Sequence, residues 1–166
     1  FYKNILSIKK EEIQKVMSKH NIIEEYSIKK TYPSAIGINI KPTKIIARIS
    51  SNDQLLVGAN GKIIENKENK ENNEKLPYVF GEFNSREFLV LKKNIEQSKF
   101  MFTEFKMLFL FSSNRWDILT NSDILIKLPQ DNFLESINLA YSIINSDDFQ
   151  KKSIVDLRIN GHLIIK

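Results

Sequence analysis

Phe105-Lys-Met-Leu-Phe-Leu-Phe111, Arg115-Trp-Asp-Ile-Leu119 and Ile124-Leu-Ile-Lys-Leu128 follow one another with only short polar breaks between them. Apolar residues stand at both alternating positions of the first run, which predicts a strand buried on both faces. The second and third runs flank Asn121-Ser-Asp123, a turn composition, and predict a hairpin. Trp116, the single tryptophan, is expected to anchor a core with Arg115 and Asp117 facing out. The competing reading of Trp116 is a surface hot spot, where Trp and Arg are enriched.

Moving outward, Ser85 to about Ser98 places Phe88, Leu91 and Ile95 on one helical face. Asn132 with Glu135 has the spacing of a capping box and predicts a helix with Phe133, Ile137, Ala140, Tyr141 and Ile144 inside. Ile154 to Ile159, Asn160-Gly161 and Leu163 to Ile165 predict a terminal hairpin. Upstream, Leu55–Val57 and Ile63-Ile64 flank Ala59-Asn-Gly61, a strong hairpin signal, and Lys44–Ile49 predicts a strand before them. Leu76-Pro-Tyr-Val-Phe-Gly81 re-enters the fold after residues 67–75, a charged run predicted to be an exposed loop.

The first part of the chain has a different grammar. Ile13, Val16 and Met17 give Lys10–His20 the period of a short helix, with Glu11 and Glu12 in its first turn. Glu25–Thr31 predicts a strand, Pro33-Ser34 a turn, and Ile36-Gly-Ile-Asn-Ile40 a half-buried strand. Pro42 breaks the pattern. The expectation is an α+β protein with a small unit over residues 1–48 and a strand-rich domain with two helices over 49–166.

Composition narrows the function classes. The 166 residues are 42% hydrophobic and 27% charged, as in a globular domain. Absent cysteines exclude disulfides, thiolate catalysis and cysteine zinc sites. The net charge is +5, yet the densest charged run, residues 67–75, alternates in sign and sums to zero, unlike a nucleic-acid stripe. His20 and His162 stand far apart, without a metal-ligand spacing. The five glycines are scattered and form no phosphate-cradling loop. Neither catalysis nor a cofactor is expected. No apolar stretch approaches the roughly 20 residues needed to cross a bilayer. The chain opens on Phe1, and the expectation is a fragment whose membrane anchor lies upstream.

These segments resemble the FtsQ/DivIB family of bacterial cell-division proteins. Tyr26-Ser-Ile-Lys-Lys-Thr-Tyr-Pro33 with Ile36–Ile40 is similar to the V-x-R-x-x-P-x-x-L-x-I-x-V strand pair that closes the family's POTRA domain, with Lys30 in place of arginine. Leu56-Val-Gly-Ala-Asn-Gly61 resembles an L-V-D-x-x-G hairpin, with Gly58 in place of aspartate. Leu76–Gly81 resembles L-P-x-L-x-G, Arg115–Leu119 with Ile126-Lys-Leu-Pro129 resembles R-W-D-L-x-L…L-P, and Val155-Asp-Leu-Arg158 resembles a near-terminal D-L-R strand. Ile49 stands where the family carries tryptophan.

The resemblance implies a partial POTRA domain, lacking its first strand and helix, ahead of an FtsQ-type β domain. It further implies a non-enzymatic scaffold of the division septum, bitopic in the inner membrane, with this region in the periplasm. Its implied partners are FtsB, paired with FtsL, at the β domain, and other division proteins at the POTRA part. The FtsB site falls after the D-L-R motif, on Arg158, Ile159, Asn160, Gly161, His162, Leu163, Ile164 and Ile165. Pairing there would be by β-augmentation, with Arg158 gripping a carboxylate. The alternatives are a POTRA protein of outer-membrane assembly or secretion, and a periplasmic cell-wall enzyme.

Overall fold

The computed structural model describes residues 8–65, 75–147, 149, 153–159, 162–166, without the side chain of Asp53. The elements, in chain order, are α1 (Lys10–Met17), β1 (Ile23–Thr31), β2 (Ala35–Pro42), β3 (Ile45–Ile49), β4 (Asn52–Gly58), β5 (Ile63–Glu65), β6 (Tyr78–Phe80) and α2 (Ser85–Gln97). They continue with β7 (Phe105–Leu110), β8 (Trp116–Thr120), β9 (Leu125–Lys127), α3 (Phe133–Ile144), β10 (Ile154–Asp156) and β11 (Ile164–Ile165). The protein is α+β, as expected.

Strands β1 and β2 form a two-stranded antiparallel sheet, turned at the cis Tyr32–Pro33 bond. The other strands form one nine-stranded sheet in the order β11-β10-β9-β8-β7-β6-β3-β4-β5. The change of sheet falls between Pro42 and Ile45, so residues 45–48 pair within the large sheet. The charged run expected to be a loop lies outside the described residues, apart from Lys75.

Two parallel steps decide which face of the large sheet is covered. Strand β6 runs parallel to β7 with α2 between them, and β9 runs parallel to β10 with α3 between them. Strands β7 and β9 point the same way, because both are antiparallel to β8. Right-handed crossovers that step in the same direction put both helices on the same face. Helix α2 starts on a capping box: Asn84 Oδ1 accepts from Arg86 and Glu87 N–H, and Glu87 accepts the Asn84 N–H. Its Phe88, Leu91 and Ile95 pack with Ile137 and Ala140 of α3 on Leu108, Trp116, Ile118, Ile126 and Val155 of the sheet.

Several expectations need correction. Strand β7 is buried on one face only: Leu108 is fully buried, while Met107 and Phe109 are half-exposed on the face without helices. Helix α3 exists, but Asn132 adopts a left-handed conformation (φ 58°) and makes no side-chain cap bond. The isoleucine alternation of β2 does form a strand, yet Ile38 and Ile40 are exposed, since α1 lies near β1 and no described element covers the hairpin as a sheet covers a core. Helix α1 ends at Met17, so His20 lies beyond its last turn.

Candidate partner-binding edge

The nine-stranded sheet ends on β11, whose two residues pair antiparallel with β10: Asp156 opposite Ile164 and Val155 opposite Ile165. Lys166 exchanges backbone hydrogen bonds with Ile154 in both directions, at 3.1 and 3.0 Å. Antiparallel ladders alternate, so Ile164 also turns its N–H and C=O to β10, while those of Ile165 point away from the sheet. Ile159, Leu163 and Ile164 are exposed, and Ile165 lies at the margin of exposure. His162 is exposed and its N–H donates to the carbonyl of Ile159 at 3.0 Å. Asn160 and Gly161 lie outside the described residues.

Beside this edge sits a set of charges, of which the sequence reading turned Arg115 and Asp117 outward and gave Arg158 to a partner carboxylate. Arg158 grips Asp156 in its own chain, Nε at 2.8 and 3.0 Å from the two carboxylate oxygens and Nη2 at 2.6 Å. Arg115 Nε lies 3.2 Å from Asp117 Oδ1. Each pair is spaced i, i+2, which puts both partners on one face of an extended chain. Strand register places Lys127 opposite both Asp117 and Asp156. Trp116 points the other way, into the core, at 6% exposure, which settles its role as an anchor. Asp117, expected to face out, is instead buried at 4% exposure.

The two carboxylates respond differently to this setting. Burial pushes the Asp117 carboxyl above its usual range, against the pull of Arg115, Lys127 and Arg158. The hydrogen bonds from Arg158 hold Asp156 below the usual range, with burial opposing. Arg158 is correspondingly held more firmly protonated by Asp156. Arg115, Asp156, Arg158, Ile159, His162 and Ile164 line a cleft of about 300 Å³ next to the strand edge. The signal that could have found these groups was the repeated i, i+2 opposition of charge, Arg115 with Asp117 and Asp156 with Arg158. Among the described residues, no cluster of three His, Cys, Asp or Glu side chains is placed to hold a metal. No described helix is long and apolar enough to cross a membrane.

This geometry describes a sheet-based module with an apolar edge strand, unpaired on its outer side among the described residues and flanked by ordered ion pairs. Residues 46–158, from β3 to the end of the D-L-R motif, match the model of the family described as cell division protein FtsQ/DivIB, C-terminal. The chain belongs to the FtsQ/DivIB family of cell-division proteins. No curated protein matches it.

Proposed function

We propose that this chain is a non-enzymatic scaffold of the division machinery, and that β11 is where a strand of FtsB, paired with FtsL, adds to the sheet. The observation that carries the reading is the end of the sheet itself. Strand β11 ends the sheet with an outward-facing Ile165 backbone, and exposed apolar side chains surround it. Unpaired strand edges attract another chain, and backbone pairing supplies affinity while side chains set specificity. The family match stops at Arg158, so the role of 159–165 rests on the resemblance, and the edge geometry of β11 supports it.

The rest of the reading rests on the resemblance. Helix α1 with the β1–β2 hairpin corresponds to the closing part of a POTRA domain, and other division proteins would dock there. The region would lie in the periplasm, at the septum, anchored to the inner membrane by a helix upstream, and its complex would couple assembly to septal peptidoglycan synthesis. Arg158 remains the side chain for an acidic partner group, in a form the structure refines. Its Nε and one Nη2 hydrogen are committed to Asp156, and an arginine has five N–H donors. A partner carboxylate would therefore meet a preoriented guanidinium through its remaining donors. The test is calorimetric titration of the FtsB periplasmic segment into wild type and Arg158→Ala. Weakened binding by Arg158→Ala is expected; no binding by wild type would overturn the assignment.

A further inference from the structure

The turn between β4 and β5 is tied to the helix–hairpin unit by hydrogen bonds that run both ways. Asn60 Nδ2 donates to the Asn21 carbonyl at 2.9 Å and to the Ile23 carbonyl at 3.4 Å. In return, Asn21 Nδ2 donates to the Ile63 carbonyl of β5 at 2.8 Å. Thr43, between the two sheets, donates its N–H to the Ile22 carbonyl at 2.7 Å and accepts the Asn60 N–H on its hydroxyl at 3.2 Å. Thr43 is buried at 7% exposure, so these bonds satisfy polar groups of a largely buried residue.

The surrounding residues are shaped to this tie. A Cβ on Gly58 would stand 2.6 Å from Thr43 Cγ2 and 2.7 Å from Asn60 Oδ1, so only glycine lets the threonine and the asparagine sit there together. Asn60 Oδ1 accepts the Lys62 N–H at 3.1 Å, which holds the turn. The two ends of one amide thus do separate jobs: the oxygen shapes the β4–β5 turn, and the nitrogen reaches the other unit. The Ile63 backbone carbonyl faces away from β4, because the carbonyl of its neighbour Lys62 accepts the Gly58 N–H. Asn21 therefore occupies an outward carbonyl at the end of the sheet opposite β11.

We propose that Asn60 and Asn21 are positioning residues, which lock the helix–hairpin unit in one orientation on the β4–β5 turn and cap the β5 edge. Units joined by small polar interfaces move relative to each other by default, so hydrogen bonds running both ways across the joint are what would hold this one. A scaffold with its docking surfaces on two units would hold them at a fixed spacing through this joint. The inference concerns the joint alone and stands whether or not FtsB pairs with β11.

Asn60→Asp separates the two jobs, since it keeps the turn's acceptor oxygen and turns the donor into a second acceptor facing the Asn21 and Ile23 carbonyls. The chain has no cysteine, so Lys29→Cys on β1 and Lys93→Cys on α2, both at exposed positions, can carry spin labels. Pulsed electron resonance on this pair is expected to give one narrow distance distribution in the parent. Asn60→Asp should widen it about twofold or more, as free relative motion of small units would, with the melting transition still cooperative. An unchanged width in Asn60→Asp would overturn the proposal. Should Asn60→Asp lose its cooperative melt, Asn21→Ala takes its place: widening supports the joint, and the parent's width overturns it.

Discussion

Proline substitutions at neighbouring positions of β11 separate the two sides of the edge. The ladder bonds between Lys166 and Ile154 place the N–H of Ile164 against β10 and turn that of Ile165 away from the sheet. Ile165→Pro removes an outward donor, and the extended backbone of Ile164 is the conformation a following proline favours. One ladder hydrogen bond is worth about 0.5–1.5 kcal/mol net, so the partner should bind roughly two- to twelvefold more weakly. The ring's bulk against the incoming carbonyl adds to that loss. Stability should barely change, because the domain's own ladder is untouched. Ile164→Pro instead removes a bond to β10. A two-residue strand cannot absorb this, so it should lose the edge, lower the melting temperature and weaken FtsB binding further. Calorimetric titration gives the affinities and differential scanning calorimetry the stabilities. Wild-type binding by Ile165→Pro beside weak binding by Ile164→Pro would refute the outward assignment. Wild-type binding by both would remove the partner from this edge.

Other substitutions probe the fold and its charges. Gly81 has a φ of +95°, and a Cβ there meets the Leu110 carbonyl oxygen, so Gly81→Ala should cost about 1–3 kcal/mol and lower the melting temperature by roughly 2–12 °C. Phe88 is fully buried between the rings of Phe83 and Phe102, and Phe88→Ala should cost about 3–5 kcal/mol in denaturant unfolding. Asp156 has its carboxyl held below the usual range by Arg158, so it stabilises the fold fully above the unfolded value near pH 4. That contribution is lost as pH falls through the lower folded value. The stability gap between wild type and Asp156→Asn should therefore be constant above about pH 5 and close in stronger acid, as followed by urea unfolding at a series of pH values. Asp117 has the opposite sign: burial raises its carboxyl, so its ionised form burdens the fold above the raised value and the burden lifts as pH falls below the ordinary one.

Local chemistry alone determined most of the elements. Phe88, Leu91 and Ile95 recur at the spacing of one helical face, and all three are buried. Asn60-Gly61 between apolar runs made the β4–β5 hairpin, with Gly61 at a φ of +74°. The ordered motifs from Leu56 to Arg158 carried the family, and the match spans that region. These features are legible because each depends on residues close together in sequence.

Only the tertiary structure decided what depends on which strands become neighbours. The run Phe105–Phe111 is apolar at both alternating positions, but two crossovers of the same hand and direction put α2 and α3 on one face and left Met107 and Phe109 half-exposed. Asp117 is buried because strand order sets it beside Lys127 and next to Arg115, a setting no local pattern specifies. Asn132 precedes a helix in the residue order of a capping box, yet a left-handed backbone turns its side chain out of reach, while Asn84 with Glu87 makes the box that forms. At β11, composition offered a row of apolar residues, and the hydrogen-bond phase of Lys166 on Ile154 determined which backbone faces out. Gly58, which in the sequence is only a departure from the family's aspartate, acquires its reason from Thr43, a residue of another segment whose methyl group fills the space a side chain would need.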